Sequence, residues 1–271
     1  MAALPARVAS RLSGGLKKFQ PILATAKARD INESDTVVIV TDLLHELFGY
    51  DKYTEITSEH MIRSTFCDLA IKLDGALALL IEVKAIGLEL KDQFVKQAVD
   101  YAANQGCEWV ALTTGVLWRV YKVVFSKPIE NELVVEFNLL DLNPRNDAHL
   151  DTLGLLAKEG WQRARLGEYL SQRQALSRFS IAAVLLAEPV LDVVRRELRR
   201  ISPDVRIERE EIEGVLTQEV LKREVLEGEK AEAARRLVSK AAGRVLRSSR
   251  PAEVEGATAV IPPPTSPGST G

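Results

Sequence analysis

Cysteine is nearly absent: Cys67 and Cys107 are the two in 271 residues. That excludes a disulfide framework; both fall on or beside predicted strands, so no disulfide is expected and a reducing cytoplasm is the default compartment. Histidine is equally scarce. His45, His60 and His149 stand without ligand spacing, which leaves a zinc site and a Ser-His-Asp triad without support. No apolar run approaches the roughly 20 residues needed to cross a bilayer, and Ile181-Ala-Ala-Val-Leu-Leu-Ala187 falls far short, so no membrane partner is expected. No apolar h-region follows the early charges, so a secretory leader is not expected either. The formal net charge of -2 gives no global basic signature for nucleic acid. A Gly-x-x-x-x-Gly-Lys-Ser/Thr phosphate loop is missing, and Gly14-Gly15-Leu-Lys17 lacks its spacing, so the chain is not by itself an ATP-driven motor. There are no internal repeats.

What is present is a small set of polar residues in apolar surroundings. Asp68 lies in Ser64-Thr-Phe-Cys-Asp68-Leu-Ala-Ile-Lys72, and Glu82 and Lys84 lie in Leu77-Ala-Leu-Leu-Ile-Glu82-Val-Lys84. Both segments read as strands, and the second is an almost unbroken apolar run of the kind covered on both faces of a sheet. A carboxylate and an ammonium placed there cost several kcal/mol unless they are paired or bind a metal. Strand alternation puts Glu82 and Lys84 on one face. If their strand pairs with the one carrying Asp68, two carboxylates and a lysine converge, a set able to bind Mg2+ and activate water for phosphodiester cleavage. Against this stands the ordinary reading of Glu-x-Lys as a solvated edge pair. Cys67, next to Asp68, is expected on the opposite face as a small core residue.

Asp92 to Gly106 reads as a helix closed by its glycine, with Gln97 and Tyr101 four apart on one face. Trp109-Val-Ala-Leu-Thr-Thr114-Gly115 reads as a strand and tight turn, and Val116-Leu-Trp118-Arg119-Val-Tyr121-Lys122-Val-Val as its hairpin partner. Singly, Tyr101 reads as a half-buried core residue and Gln97 as a surface glutamine.

Asp68, Glu82-x-Lys84 and Gln97-x-x-x-Tyr101 together resemble the PD-(D/E)xK nuclease pattern. More narrowly, Asn32 to Val123 is similar to the N-terminal nuclease domain of type I restriction enzyme R subunits, a likeness that extends to Leu43-Leu-x-x-Leu-Phe-Gly-Tyr50 and Gly115-Val-Leu-Trp-Arg-Val-Tyr121. The resemblance implies a restriction-endonuclease-like α/β fold, a mixed central sheet of four to six strands flanked by helices. It implies Asp68 and Glu82 as metal ligands, Lys84 as the catalytic lysine, and Gln97 and Tyr101 as residues lining the site against the DNA backbone. Mg2+ is the implied cofactor, with Mn2+ as its substitute. The family also carries an acid on the helix before the sheet. Glu33 in Asn32-Glu-Ser-Asp35 is the best match and a third implied ligand, although it is equally an acid in a helix's first turn; Glu46, Glu55 and Glu59 compete. Family members often carry Thr-Asn-Gly where this chain has Thr113-Thr114-Gly115. An R subunit continues into helicase motors, so the implied activity is that of a stand-alone nuclease, or of one whose partner supplies targeting and translocation.

Residues 1–29 form a basic, acid-free arm with an apolar stripe of Leu16, Phe19, Ile22 and Leu23, suited to gripping phosphates, to docking as an amphipathic helix, or to organelle targeting. Residues 30–146 form the nuclease-like domain and 147–247 a smaller all-α domain. There Arg195, Arg196, Arg199 and Arg200, with Arg206 and Arg209 beyond, read either as a DNA-backbone contact or as a solvated helix end. Drifting apolar spacing with Gly214 and Gly228 argues against a coiled coil. From 248 onward Pro, Ser, Thr and Gly dominate, as in a disordered tail. The expected activity is Mg2+-dependent DNA endonuclease action in restriction or defence, with DNA as partner and a homodimer or a targeting subunit completing double-strand cutting. The rivals are a catalytically silent DNA-binding or assembly protein that keeps the fold, and a nuclease acting on RNA or on DNA ends in repair.

Overall fold

Val8, Leu12, Leu16, Phe19, Leu23 and Ala26 recur at helical spacing, and they form the buried stripe of the first helix, α1 (Ala6–Ala28). The computed structural model describes residues 3–62 and 65–248, and its contacts divide the chain into two units after Gln172. The stripe of α1 belongs to the main core of the first unit. Of the readings open for this segment, α1 shows the docked amphipathic helix, because burying that stripe against its own domain removes it from water. Arg11 of α1 is likewise turned inward, donating to both carboxylate oxygens of Glu159 at 2.8 and 2.6 Å and to the carbonyls of Leu47 and Phe48.

Asn32 caps the second helix, α2 (Glu33–Asp42), by accepting the Asp35 N–H at 2.9 Å. A π-helical turn, Leu43–Leu47, continues it. Six strands then form one mixed sheet in chain order: β1 (Ile56–Ile62), β2 (Thr65–Leu73), β3 (Ala76–Val83), β4 (Trp109–Thr113), β5 (Leu117–Val124) and β6 (Glu130–Asn138). All neighbours are antiparallel except β3 and β4, which run parallel with Glu82 opposite Leu112. A parallel pair needs a crossover, supplied here by helix α3 (Asp92–Gln105). Gly106 ends that helix at φ 64°, in the left-handed region that glycine enters without steric cost. The β4–β5 turn puts Gly115 at φ 78°, while Thr113 Oγ1 accepts the Gly115 N–H, so threonine at 114 fits without a positive φ.

Strand alternation sorts the sheet into two faces. Leu79, Ile81, Val83, Ala111, Trp118 and Val120 join the core that contains α1, whereas Ala70, Leu80, Val110, Leu112, Tyr121 and Val123 pack beneath α3. The first unit is closed by α4 (Asp147–Gly154), α5 (Lys158–Gln162) and the start of α6 (Arg165–Ala175); Leu150, Leu153, Leu166 and Leu170 of α4 and α6, with Leu156 of the α4–α5 link, fill the same core as α1. The helical region expected from residue 147 thus contributes its first helices to the sheet-bearing unit.

The second unit, from Arg173, holds α7 (Arg178–Leu185), α8 (Glu188–Ile201), α9 (Arg209–Val215), a π-helical turn (Leu216–Val220), α10 (Arg223–Leu226) and α11 (Glu229–Ser248), with α11 packed along α7. Its arginines are held within the unit. Arg195 pairs with Asp192 and Glu208, Arg196 and Arg200 with Glu197, Arg206 with Glu208, and Arg209 with Glu188 and Asp192, while Arg199 donates to the Ile207 carbonyl. The pairs are surface ones, with Arg196, Arg200 and Arg206 largely exposed, as in a solvated helix end. The Pro-, Ser- and Gly-rich tail lies outside the described residues from 249 on. Among the described residues no helix is long and apolar enough to cross a membrane.

Candidate functional site

The parallel pair β3–β4 ends in a short segment that carries the site. Glu82 and Lys84 extend the face begun by Leu80, so both side chains lie on the α3 side of the sheet. Lys84 is fixed at the strand end by its N–H, which donates to the Thr113 carbonyl at 2.8 Å. Three residues on, the loop meets the α1–α2 turn: a Cβ added at Gly87 would lie 2.1 Å from Asp30 Oδ1, so the Asp30 side chain packs directly on the Gly87 backbone. The contact brings the start of α2, and with it Glu33, over the end of β3.

The charges converge as the alternation predicts. Lys84 Nζ lies 2.8 Å from Glu82 Oε1 and 3.3 Å from Glu33 Oε2. Glu82 is 3% exposed, the Lys84 side chain 11% and the Glu33 side chain 46%, so the pair is sealed and its third member faces water. Asp68 enters from β2, where its Oδ2 accepts the Val83 N–H at 2.7 Å. A side chain thus takes the place of a ladder carbonyl just beyond the Leu69–Ile81 register pair. That break in the pleat accounts for Cys67, which is not on the far face from the site as alternation implies. Its thiol packs in the α3-side cluster and donates to the Ile81 carbonyl at 3.1 Å. Both cysteines are free and buried.

Burial and charge decide the protonation of this group. Burial raises the Glu82 carboxyl above its ordinary value; the Lys84 hydrogen bond opposes it, and the Asp68 and Glu33 charges add to it. For Lys84 burial pulls downward, but the bond to Glu82 and the charges of Glu82, Glu33 and Asp68 outweigh it and raise the pKa. The direction favours the ammonium form of Lys84, held by its carboxylate neighbours. Burial, followed by the charges of Glu82 and Asp68, pushes the Cys67 thiol up to about 12.

Gln97 and Tyr101 sit on α3, where Gln97 Nε2 donates to Tyr101 Oη at 3.0 Å. They lie three and seven residues beyond Phe94, on one helical face with it, and Lys84 Nζ stands 5.5 Å from the centroid of the Phe94 ring. Phe94 is the site residue that sequence reasoning missed; its i−3 spacing from Gln97 is the signal that marks it. The competitors to Glu33 are engaged elsewhere, Glu46 with Lys18 and Glu55 with Lys158 at 2.6 Å. The side chains of Glu59 and His60 lie outside the described residues.

Glu82 Oε2 is buried without a hydrogen-bond partner, which costs on the order of 1–3 kcal/mol or more for a charged group. A cation is the natural partner for such an atom, and a second carboxylate, Asp68, is near enough for its charge to act on Glu82. Among the described residues no group of three or more His, Cys, Asp or Glu is placed to hold a metal ion. Mg2+ draws only one or two protein carboxylates and leaves its other positions to water and phosphate. Glu82 and Asp68 supply the number of carboxylates that Mg2+ draws, and Glu33 is turned to Lys84. Compared with protein-family models, curated proteins and solved structures, the chain matches none.

Proposed function

We propose that this chain is a Mg2+-dependent DNA endonuclease that hydrolyses phosphodiester bonds through Asp68, Glu82 and Lys84. The observation that carries the reading is the sealed Glu82–Lys84 pair, with its unpartnered Glu82 oxygen and the nearby charge of Asp68, at the end of a parallel strand. Burying two opposite charges is weak support for stability, so a function is the better reason to keep them.

In this reading Glu82 and Asp68 hold the cation. Mg2+ bound there supplies a coordinated water of lowered pKa and neutralises charge on the scissile phosphate. Lys84, held by Glu82 and Glu33, supplies a cation where negative charge develops on the phosphoryl oxygens or where the attacking hydroxide stands. Glu33 and Glu82 aim its ammonium group. Gln97, exposed on α3, and Tyr101, half-buried against the cluster beneath it with its hydroxyl bonded to Gln97, offer an amide and a hydroxyl to backbone phosphates. The residues themselves support the chemistry; restriction or defence as the setting, a cytoplasmic location, and a homodimer or a targeting subunit as partner come from the resemblance to type I R subunits.

Cleavage of supercoiled plasmid with Mg2+ or Mn2+, against EDTA and Glu82→Ala, tests the proposal. Metal-dependent nicking or linearisation that Glu82→Ala abolishes supports it. No cleavage of supercoiled, linear or single-stranded DNA or of RNA, together with no Mg2+ binding by calorimetry, refutes it and favours a silent DNA-binding protein. Cleavage confined to RNA or to DNA ends keeps the chemistry and replaces the substrate.

A further inference from the structure

We propose that Phe94 is a positioning residue for Lys84, holding the ammonium over its ring so that the charge stays aimed at the phosphate. The inference rests on the nuclease reading. Among the described residues Lys84 Nζ has three neighbours: Glu82 Oε1 at 2.8 Å, Glu33 Oε2 at 3.3 Å and the Phe94 ring, whose centroid is 5.5 Å away. The three differ in how firmly they hold. Glu82 is shared with the cation site, so its claim on the ammonium weakens when its oxygens are engaged there. Glu33 is nearly half exposed, and water and salt screen its pull. The ring is a contact that no metal ion competes for, and an aromatic face attracts an ammonium most strongly when the site is desolvated.

Phe94 is also built to stay in place. It sits in the first turn of α3, half-buried against the cluster of Cys67, Leu80, Val95 and Ala98, and its N–H donates to the Lys91 carbonyl at 3.0 Å. Its two χ angles are restrained by that packing, whereas the four-carbon stem of Lys84 is not self-supporting. An aliphatic residue at 94 would fill the space and lose the electrostatic attraction, which separates the proposed role from simple packing.

The test is a cycle of Phe94→Leu and Phe94→Tyr in the Lys84 and Lys84→Met backgrounds, with two readouts. The three tryptophans, Trp109, Trp118 and Trp161, all lie in the first unit, so their fluorescence during urea unfolding follows that unit. Phe94→Leu is expected to lower the folding equilibrium constant about fivefold more with Lys84 present than with Lys84→Met, and Phe94→Tyr to restore it. In metal-dependent plasmid cleavage Phe94→Leu lowers kcat about fivefold or more at unchanged KM, again with rescue by tyrosine. Coupling below about twofold, or loss in the leucine variant that tyrosine does not restore, overturns the inference. A wild-type chain that cleaves, alongside an equally active Phe94→Leu variant, overturns this inference alone. A wild-type chain that neither cleaves supercoiled, linear or single-stranded DNA or RNA nor binds Mg2+ by calorimetry, while the coupling persists, overturns the nuclease reading, and the catalytic part of this inference with it.

Discussion

Replacing Lys84 by methionine keeps most of the apolar stem and removes the charge. Glu82, 3% exposed, then loses its hydrogen-bonded cation while Oε2 already lacks a partner. Breaking a buried pair in this way costs about 3–5 kcal/mol. A ceiling follows from proton uptake, because the folded protein can escape the penalty by protonating Glu82. From an ordinary glutamate value of 4.5, that escape costs about 1.4 kcal/mol per pH unit, so about 4 kcal/mol at pH 7.5 and about 1.4 kcal/mol at pH 5.5. The sign is that of a raised carboxyl: stability is fully present below 4.5 and is lost as pH rises towards the folded-state value. Lys84→Met should therefore be strongly destabilised at pH 7.5 and approach wild type near pH 5. The double variant Glu82→Leu/Lys84→Met, with no buried charge left in the pair, should fall within about 1 kcal/mol of wild type or above it. Urea midpoints followed by tryptophan fluorescence across this pH range measure the effect. A loss below about 1 kcal/mol at pH 7.5, or a loss that does not change with pH, refutes the claim that the pair is buried.

The Arg11–Glu159 clamp predicts the opposite pH trend. Arg11 holds the Glu159 carboxyl below its ordinary value of 4.5, so the clamp's contribution is present above that pH and is lost as pH falls through the folded value. Arg11→Met should cost about 2–3 kcal/mol at pH 7 and less at pH 3, where its bonds to the Leu47 and Phe48 carbonyls remain, as measured by chemical denaturation. Trp118 is fully buried between Phe48 and Phe137, and Trp118→Ala should cost about 3–5 kcal/mol in the same assay. Gly106→Ala, which forces a side chain into φ 64°, should cost about 1 kcal/mol, read from the thermal midpoint. With its thiol pushed up to about 12 and buried, Cys67 should be silent to a thiol reagent at pH 8 until the protein unfolds; rapid stoichiometric labelling of the native chain would contradict the packing.

Much of the site is legible in local pattern. Alternation alone puts Glu82 and Lys84 on one face, helical spacing pairs Gln97 with Tyr101, and Gly106 marks the end of their helix, because each rule depends on the few residues around it. The apolar stripe of α1 is equally legible. What covers it is not, since one amphipathic helix can meet its own core, a partner or a phosphate backbone. Strands β1 and β6 give little local sign of themselves; β6 carries Glu130, Glu132 and Glu136 on the sheet edge, where polar residues replace apolar alternation.

Tertiary structure decided the rest. Glu33 meets Lys84 across 51 residues, through a close approach of Gly87 to Asp30 that no periodicity encodes. Asp68 reaches the site by taking the Val83 N–H, a departure from the regular ladder that also moves Cys67 to the α3 side. The first helices after β6 complete the core of the sheet-bearing unit because their leucines find its open face. The sequence by itself determined which residues can do chemistry and on which local face each stands, since side-chain period follows from backbone geometry. Which of those faces meet was decided only when distant segments packed, because pairing and burial depend on surfaces that exist only in the folded chain.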